Sequence, residues 1–220
     1  MNDKSKKFNK SYIGERSDLL NLIPANIKNI LDVGCSTGTL GRQIKEKMDV
    51  KVTGIELSQD MAEVATKHLD KVIVGNVEQG LLEELDNNEF DCIILGDIIE
   101  HLKNPWLFIA ECHRILKKDG IIIASIPNIR HISTIYNLVI RGYWPYRDRG
   151  IHDRTHLRFF TIKNIKELFE KQNFKNINCL KKYRIIENPH KLNNLSKLIS
   201  FILFPLKHFF VFQYIVTYKK

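Results

Sequence analysis

Short runs rich in Ile and Val alternate with stretches of helical periodicity between residues 29 and 126, and this alternation restricts the chain more than any other feature. An apolar run of strand length suits a strand buried on both faces, and parallel neighbours need a crossover, usually a helix, between them. The expected strands are residues 29–33, 51–56, 71–75, 90–95 and 120–126. Between the second and third, Met61, Val64, Ala65, His68 and Leu69 form the stripe of an amphipathic helix with Ser58 as its N-cap. Asn104 before Pro105 starts a further helix, expected to end near Lys117 and Lys118, where positive charge suits the helix dipole. The fold class is therefore α/β, a doubly wound and mostly parallel sheet, with ligands beyond the carboxyl ends of the strands.

Residues 15–23 read as a lead-in helix, 132–141 as a helix, 142–160 as a long polar and aromatic loop, and 162–172 as a helix capped by Thr161. Two more strands, near 174–186 and 211–218, bring the sheet to seven and flank a last helix starting near Leu195. No repeat or flexible linker divides the chain, so residues 1–220 read as one domain, with a core at 25–128 and a lid loop and C-terminal strands at 129–220. The 44% hydrophobic content is too high for a disordered chain. Cys35, Cys92, Cys112 and Cys179 form no C-x-x-C pair and frame neither a disulfide scaffold nor a zinc site. No apolar run follows the basic start MNDKSKKFNK, so a secretory signal is not expected and the compartment is read as cytoplasmic. The formal charge of +9 suits an anionic substrate, nucleic acid or an acidic membrane, and it equally suits a plain Lys and Asn bias.

The strand NILDV runs into GCSTGTLG, placing Asp32, Gly34, Ser36 and Gly38 on the turn to the next helix. Glycines there let the backbone approach a ligand, and the helix start offers unpaired N–H groups. A dinucleotide fingerprint needs Gly where Ser36 stands. The same string matches the G-x-S-x-G nucleophile elbow, although an esterase of that fold places several strands before its elbow.

With ILDVGCSTGTLG, VTGIELS, VGNVE and FDCIILGDIIEHLKNPWLFIAECHRILKKDGIIIASIPN in place, the chain resembles the class I S-adenosylmethionine-dependent methyltransferases. The resemblance implies S-adenosylmethionine as cofactor and a Rossmann-like methyltransferase sheet. It implies that Glu56, with Leu57 beside it, takes both ribose hydroxyls, a task suited to a carboxylate that accepts two hydrogen bonds. It places Asp32 near the ammonium end of the cofactor and Gly34 and Gly38 around the methionine moiety. Asn76 stands where many relatives carry Asp for the adenine amine, Val77 packs on the ring, and Gly96 and Asp97 close the pocket near the sulfonium.

Methyl transfer to a hydroxyl benefits from a base or a metal. Asp97, Glu100 and His101 form D-I-I-E-H, similar to the Glu-x-x-Glu-His of ubiquinone-pathway O-methyltransferases and small-RNA 3′-terminal methyltransferases, in which a later His completes a divalent-ion site. Here that His is His131, His152 or His156. The stretch D-R-T-H-L-R-F-F-T resembles bacterial methyltransferases of cell-surface polysaccharide pathways, which implies a sugar or small-metabolite hydroxyl as acceptor. His156 is the first choice for general base or ligand, with Glu100 and His101 as its partners. Arg154 and Arg158 are candidates for holding an acidic group of the acceptor, or for pairing with Asp148 or Asp153. Tyr143, Trp144, Tyr146 and Phe159 are candidates for stacking on a sugar, with core anchoring the alternative for Trp144.

In the last helix Leu195, Leu198, Ile199, Ile202 and Leu203, widened by Phe201 and Phe204, present an apolar face near Lys197 and Lys207. Core burial, a dimer interface or a peripheral membrane contact all fit it. The apolar run 198–212 is broken by Pro205, Lys207 and His208 and is too short to span a ~30 Å hydrocarbon layer. An RNA methyltransferase and a non-catalytic adenosylmethionine-binding protein are the alternative functions. Nucleic acid is disfavoured by the lack of an aromatic RNP-type strand or an added binding module.

Overall fold

The computed structural model describes residues 14–187, 190–191, 193 and 204–220. Its strands are β1 (Asn29–Val33), β2 (Lys51–Glu56), β3 (Lys71–Val74), β4 (Phe90–Gly96), β5 (Leu116–Pro127), β6 (Lys175–Tyr183) and β7 (Val211–Lys219). They form one sheet in the order β3-β2-β1-β4-β5-β7-β6, in which only β7 opposes the other six. The order reverses at β1, between β2 and β4, which opens a crevice at their carboxyl ends.

Alternate residues of the central strands feed two cores. Ile30, Val52, Cys92, Ile94, Ile121 and Ile123 pack with Leu19 and Leu20 of α1 (Ser17–Leu20), Leu40 and Ile44 of α2 (Thr39–Lys47), and Ala65 of α3 (Gln59–Ala65). Leu31, Val33, Ile93, Leu95, Ile122 and Ala124 pack on the opposite face, with Phe108, Ile109 and Cys112 of α4 (Pro105–Ile115) and with Ile165, Leu168 and Phe169 of α6 (Ile162–Glu170). A fully buried Leu, Ile or Phe contributes about 1.5–3 kcal/mol, so these two layers carry the fold.

Local chemistry sets the element ends. Ser58 Oγ accepts the Met61 N–H, Asn104 Oδ1 accepts the Leu107 N–H, and Thr161 forms a capping box with Asn164. The helices come out shorter than expected, and α6 too ends two residues early, at Glu170. The lead-in helix keeps only Ser17–Leu20, because Arg16 is drawn away to Asp97 and the residue before Pro24 is pushed from helical geometry. The chain leaves α3 at Thr66, so Leu69 is buried from a turn rather than from a helical stripe. α4 stops at Ile115, since Leu116 already belongs to β5 and Lys117 pairs with Asp91 at 2.9 Å. The helix expected over 132–141 is α5 (Ile132–Ile135) followed by a wide π-type turn, Tyr136–Ile140. The helix expected from Leu195 lies outside the described residues. No helix among the described residues is long and apolar enough to cross a membrane.

Candidate active site

At the carboxyl ends of β1, β2 and β4 lies a cleft of about 760 Å³. Its wall includes Asp32, Gly34, Ser36, Glu56, Leu57, Asn76, Val77, Gly96 and Asp97, nine of the ten positions expected to meet the cofactor. The tenth, Gly38, sits behind the wall as the left-handed N-cap of α2, φ 75°, where a Cβ would press on the Ala65 backbone. Gly34, φ 72°, meets the Ile98 side chain, and any Cβ there would collide with it. The turn is tied to the second strand: Gly34 and Cys35 N–H donate to the Ile55 carbonyl. Glu56 accepts Ser36 N–H on one oxygen and Ser58 N–H on the other, both at 2.9 Å, which fixes its carboxylate facing the cleft. Ser36 Oγ meets Met61 Sδ at 3.7 Å and no histidine, so it is no nucleophile elbow.

Asp32 is 4% exposed and burial drives its pKa up from 3.8 to about 7, with Arg16 opposing and Glu56 adding to the rise. Arg16, which no motif marked, lines the cleft beside it and pairs with Asp97 at 2.7 Å. Asp97 also accepts from Ser125 Oγ and Gln213 Nε2, and it holds a left-handed φ of 58°. These bonds engage the Asp97 carboxylate, and the group of close ligand atoms among the described residues consists of Glu100, His101 and His156 without it. Asn76 Oδ1 already accepts the Glu78 N–H, an Asx turn that orients the loop after β3.

Farther along the same cleft, Glu100, His101 and His156 bring three ligand atoms within 4.8 Å of one another. Glu100 is 1% exposed, and neither of its side-chain oxygens has a hydrogen-bond partner among the described residues. Burial first, and then the charge of Asp97, push its pKa well above the ordinary carboxylate value. His156 Nδ1 faces the Ile151 carbonyl at 3.2 Å, which requires the proton on that nitrogen and leaves the Nε2 lone pair toward Glu100, 4.0 Å away. Burial, with help from His101, lowers the His156 pKa, so the ring is neutral at pH 7. His101 Nδ1 faces the Thr155 carbonyl at 3.3 Å and the Thr155 hydroxyl at 3.1 Å. That hydroxyl donates to Asp153 Oδ1 at 2.6 Å.

The other two histidines are structural. His152 is fully buried, with Nδ1 on Glu187 and Nε2 on Thr134 Oγ1. His131 caps α5 and bonds the Arg184 carbonyl. Arg154 pairs with Asp148, and Arg158 bonds the Lys103 carbonyl over the Trp106 ring, so neither faces the cleft; Arg149 does. Tyr143, Trp144, Tyr146 and Phe159 also lie off the cleft wall, which removes the expected sugar platform. Trp144 instead packs edge-on against His152 and Phe159, as the anchoring alternative expects.

A family model described as "Methyltransferase domain" matches residues 31–124, from β1 through most of β5. That segment is similar to a methyltransferase domain, as the resemblance of its motifs implies. The chain is 30% identical over 123 residues to the ubiquinone biosynthesis O-methyltransferase of Glaesserella parasuis, a match covering 52% of this chain and 51% of that protein. It thus spans about half the length of the curated relative. A methyltransferase structure from Archaeoglobus fulgidus superposes with a TM-score of 0.70 at 18% identity, covering 99% of this chain and 100% of the other. The cyclase SpnF shares the fold at a TM-score of 0.63 and 16% identity, covering 93% and 80%. The fold alone therefore does not fix the reaction.

Proposed function

We propose that this protein is a methyltransferase that moves the methyl group of S-adenosylmethionine to a hydroxyl of a small acceptor, with Glu100, His101 and His156 at that hydroxyl. One observation carries the proposal: a buried carboxyl with no partner faces two histidines in the same cleft as the pinned Glu56. Glu56 takes the ribose diol, Asp32 the ammonium, and Arg16 the carboxylate of the cofactor's methionine end. Val77 and Leu57 flank the adenine. In the transfer, the C–S bond breaks as the O–C bond forms, adenosylhomocysteine leaves, and the hydroxyl proton passes to His156 Nε2. Catalysis then comes from alignment and from this base.

Glu100, His101 and His156 also fit a divalent cation. Their oxygen and nitrogen donors suit one, the Glu100 oxygens lack partners, and each histidine is oriented by a bond at Nδ1. Such an ion, when bound, would lower the pKa of the acceptor hydroxyl and hold its oxygen. The named O-methyltransferase relative favours a hydroxyl over an amine, and without an aromatic platform the acceptor is not assigned to sugars. Incubation with S-adenosylmethionine and a panel of phenols, sugars and amines tests the assignment by mass. A one-methyl gain on oxygen supports it, and a gain only on nitrogen rejects it.

Two further outcomes follow at once. Because Asp32 carries a proton below about pH 7, it must lose that proton to meet an ammonium. Cofactor affinity therefore rises with pH through about 7, and it is about tenfold weaker one pH unit below that point. In the free protein the sign is opposite: the fold holds this proton more tightly than the unfolded chain, so stability falls as pH rises from 3.8 to about 7. Calorimetric titrations across this range check the slope, which Asp32→Asn should flatten. Thr155→Val removes the hydroxyl contact at His101 Nδ1, leaving only the carbonyl at 3.3 Å, and is expected to reduce kcat about tenfold while changing cofactor affinity little. Unchanged turnover in that variant would show that Thr155 does not position His101.

A further inference from the structure

The wide turn after α5 displays an apolar surface that nothing in the described fold covers. Leu138, Val139 and Ile140 are consecutive and 47%, 70% and 71% exposed, and Tyr136, Tyr143 and Tyr146 beside them are 53%, 52% and 74% exposed. The π-type geometry, closed by Arg141 N–H on the Tyr136 carbonyl, turns three successive aliphatic side chains outward where an α-helix would bury at least one. Three exposed aliphatics in a row are a defect in a surface with no partner.

Charge says which partner. Residues 129–147 hold Arg130, Arg141 and Arg147 with no Asp or Glu, and residues 188–210 hold Lys191, Lys197 and Lys207, again with none. The described ends of these two stretches meet: Asn128 Nδ2 donates to the His208 carbonyl, and Arg130 lies over the Phe209 ring. Arg147 is neutralised by Glu187. Arg130 lies on an aromatic face and Arg141 bonds Asn137 and faces Tyr143, both without a carboxylate among the described residues. A second copy would set the same arginines against one another across a two-fold axis. A nucleic acid could stack on the tyrosines but would leave Leu138, Val139 and Ile140 uncovered, since aliphatic side chains neither stack on bases nor hydrogen-bond to them.

We propose that the face formed by Tyr136–Ile140, Arg141, Tyr143 and Tyr146 docks on an anionic lipid membrane, with the aliphatic side chains entering the acyl boundary and the tyrosines and arginines at headgroup depth. The lid continues from this face to Arg149 on the cleft wall within three residues of Tyr146. Docking places the acceptor side of the cleft beside the lipid surface. The proposal does not depend on the methyl-transfer reading, because its readout is binding alone.

The test is sedimentation of the full chain with phosphatidylglycerol vesicles and with phosphatidylcholine vesicles, with calorimetric binding of S-adenosylmethionine as the check on folding. The wild type is expected to sediment with the first and not the second, and to be released by high salt. Val139→Asp with Ile140→Asp should weaken binding about tenfold or more, since two aliphatic insertions are lost. Arg141→Glu should weaken it about fivefold or more, from loss of one basic contact. Three results would overturn the proposal: no binding to phosphatidylglycerol, binding untouched by both variants, or a dimer that the aspartate variant dissociates.

Discussion

Replacing His156 by Ala is expected to lower kcat by about two to four orders of magnitude, the usual contribution of a positioned base. Cofactor affinity should stay within about twofold of wild type, because His156 lies beyond the residues placed around the nucleoside. The size of the loss follows from what the fold does to this ring. Its Nδ1 is committed to the Ile151 carbonyl, burial keeps it neutral, and the remaining lone pair faces Glu100 inside the cleft. Activity should fall as pH drops and the ring takes a proton. Glu100→Gln keeps the shape and removes the ionisable group, so it separates the two ways of using the cluster. If the carboxyl serves as a ligand, the variant loses turnover, and wild-type activity is sensitive to chelators and restored by a divalent ion. If it serves only as a neutral neighbour of His156, the variant keeps most of its turnover and chelators do nothing. Retained turnover in His156→Ala would remove this histidine from the mechanism altogether.

The second large effect is on cofactor binding. Glu56→Ala should weaken S-adenosylmethionine by about a hundredfold or more, since hydrogen bonds to a charged group are worth about 1.5–3 kcal/mol each and the diol offers two. The substitution also frees the Ser36 and Ser58 N–H groups that the carboxylate now holds at 2.9 Å, so the turn after β1 loses its anchor to β2. Glu56→Gln keeps one side-chain oxygen and should lose less. Differential binding of 5′-methylthioadenosine and its 2′-deoxy analogue locates the effect at the diol. Wild type should discriminate between them, and Glu56→Ala should not.

The cofactor side of the cleft was legible in the chain because its chemistry is local. Asp32, Gly34, Ser36 and Glu56 sit at strand ends or on the turn after one, and strand periodicity alone places them on a common rim. The acceptor side was less legible. His131, His152 and His156 share one polar stretch, and nothing in their spacing tells them apart. What separates them is Glu187, 35 residues beyond His152, which takes His152 into the core together with the Ile151 N–H and the Arg147 guanidinium. Arg16 was missed for the same reason: its partner Asp97 lies 81 positions away, and the lead-in segment has no motif. Arg154 and Arg158 carried the right chemistry but were spent on Asp148 and the Lys103 carbonyl, leaving Arg149 on the cleft. The helix after residue 131 misled in a different way. It was expected to run unbroken to residue 141, yet the chain, rich there in β-branched Ile, Thr and Val, widens to a π-type turn that leaves Val139 and Ile140 outward.

The most direct test of the account is a calorimetric titration of the full chain with S-adenosylmethionine, in wild type and in Glu56→Ala. One site per chain is expected in the wild type, competed by adenosylhomocysteine and not by NAD, with affinity lost on the substitution. Absence of binding in the wild type, or equal affinity in the two proteins, would contradict it.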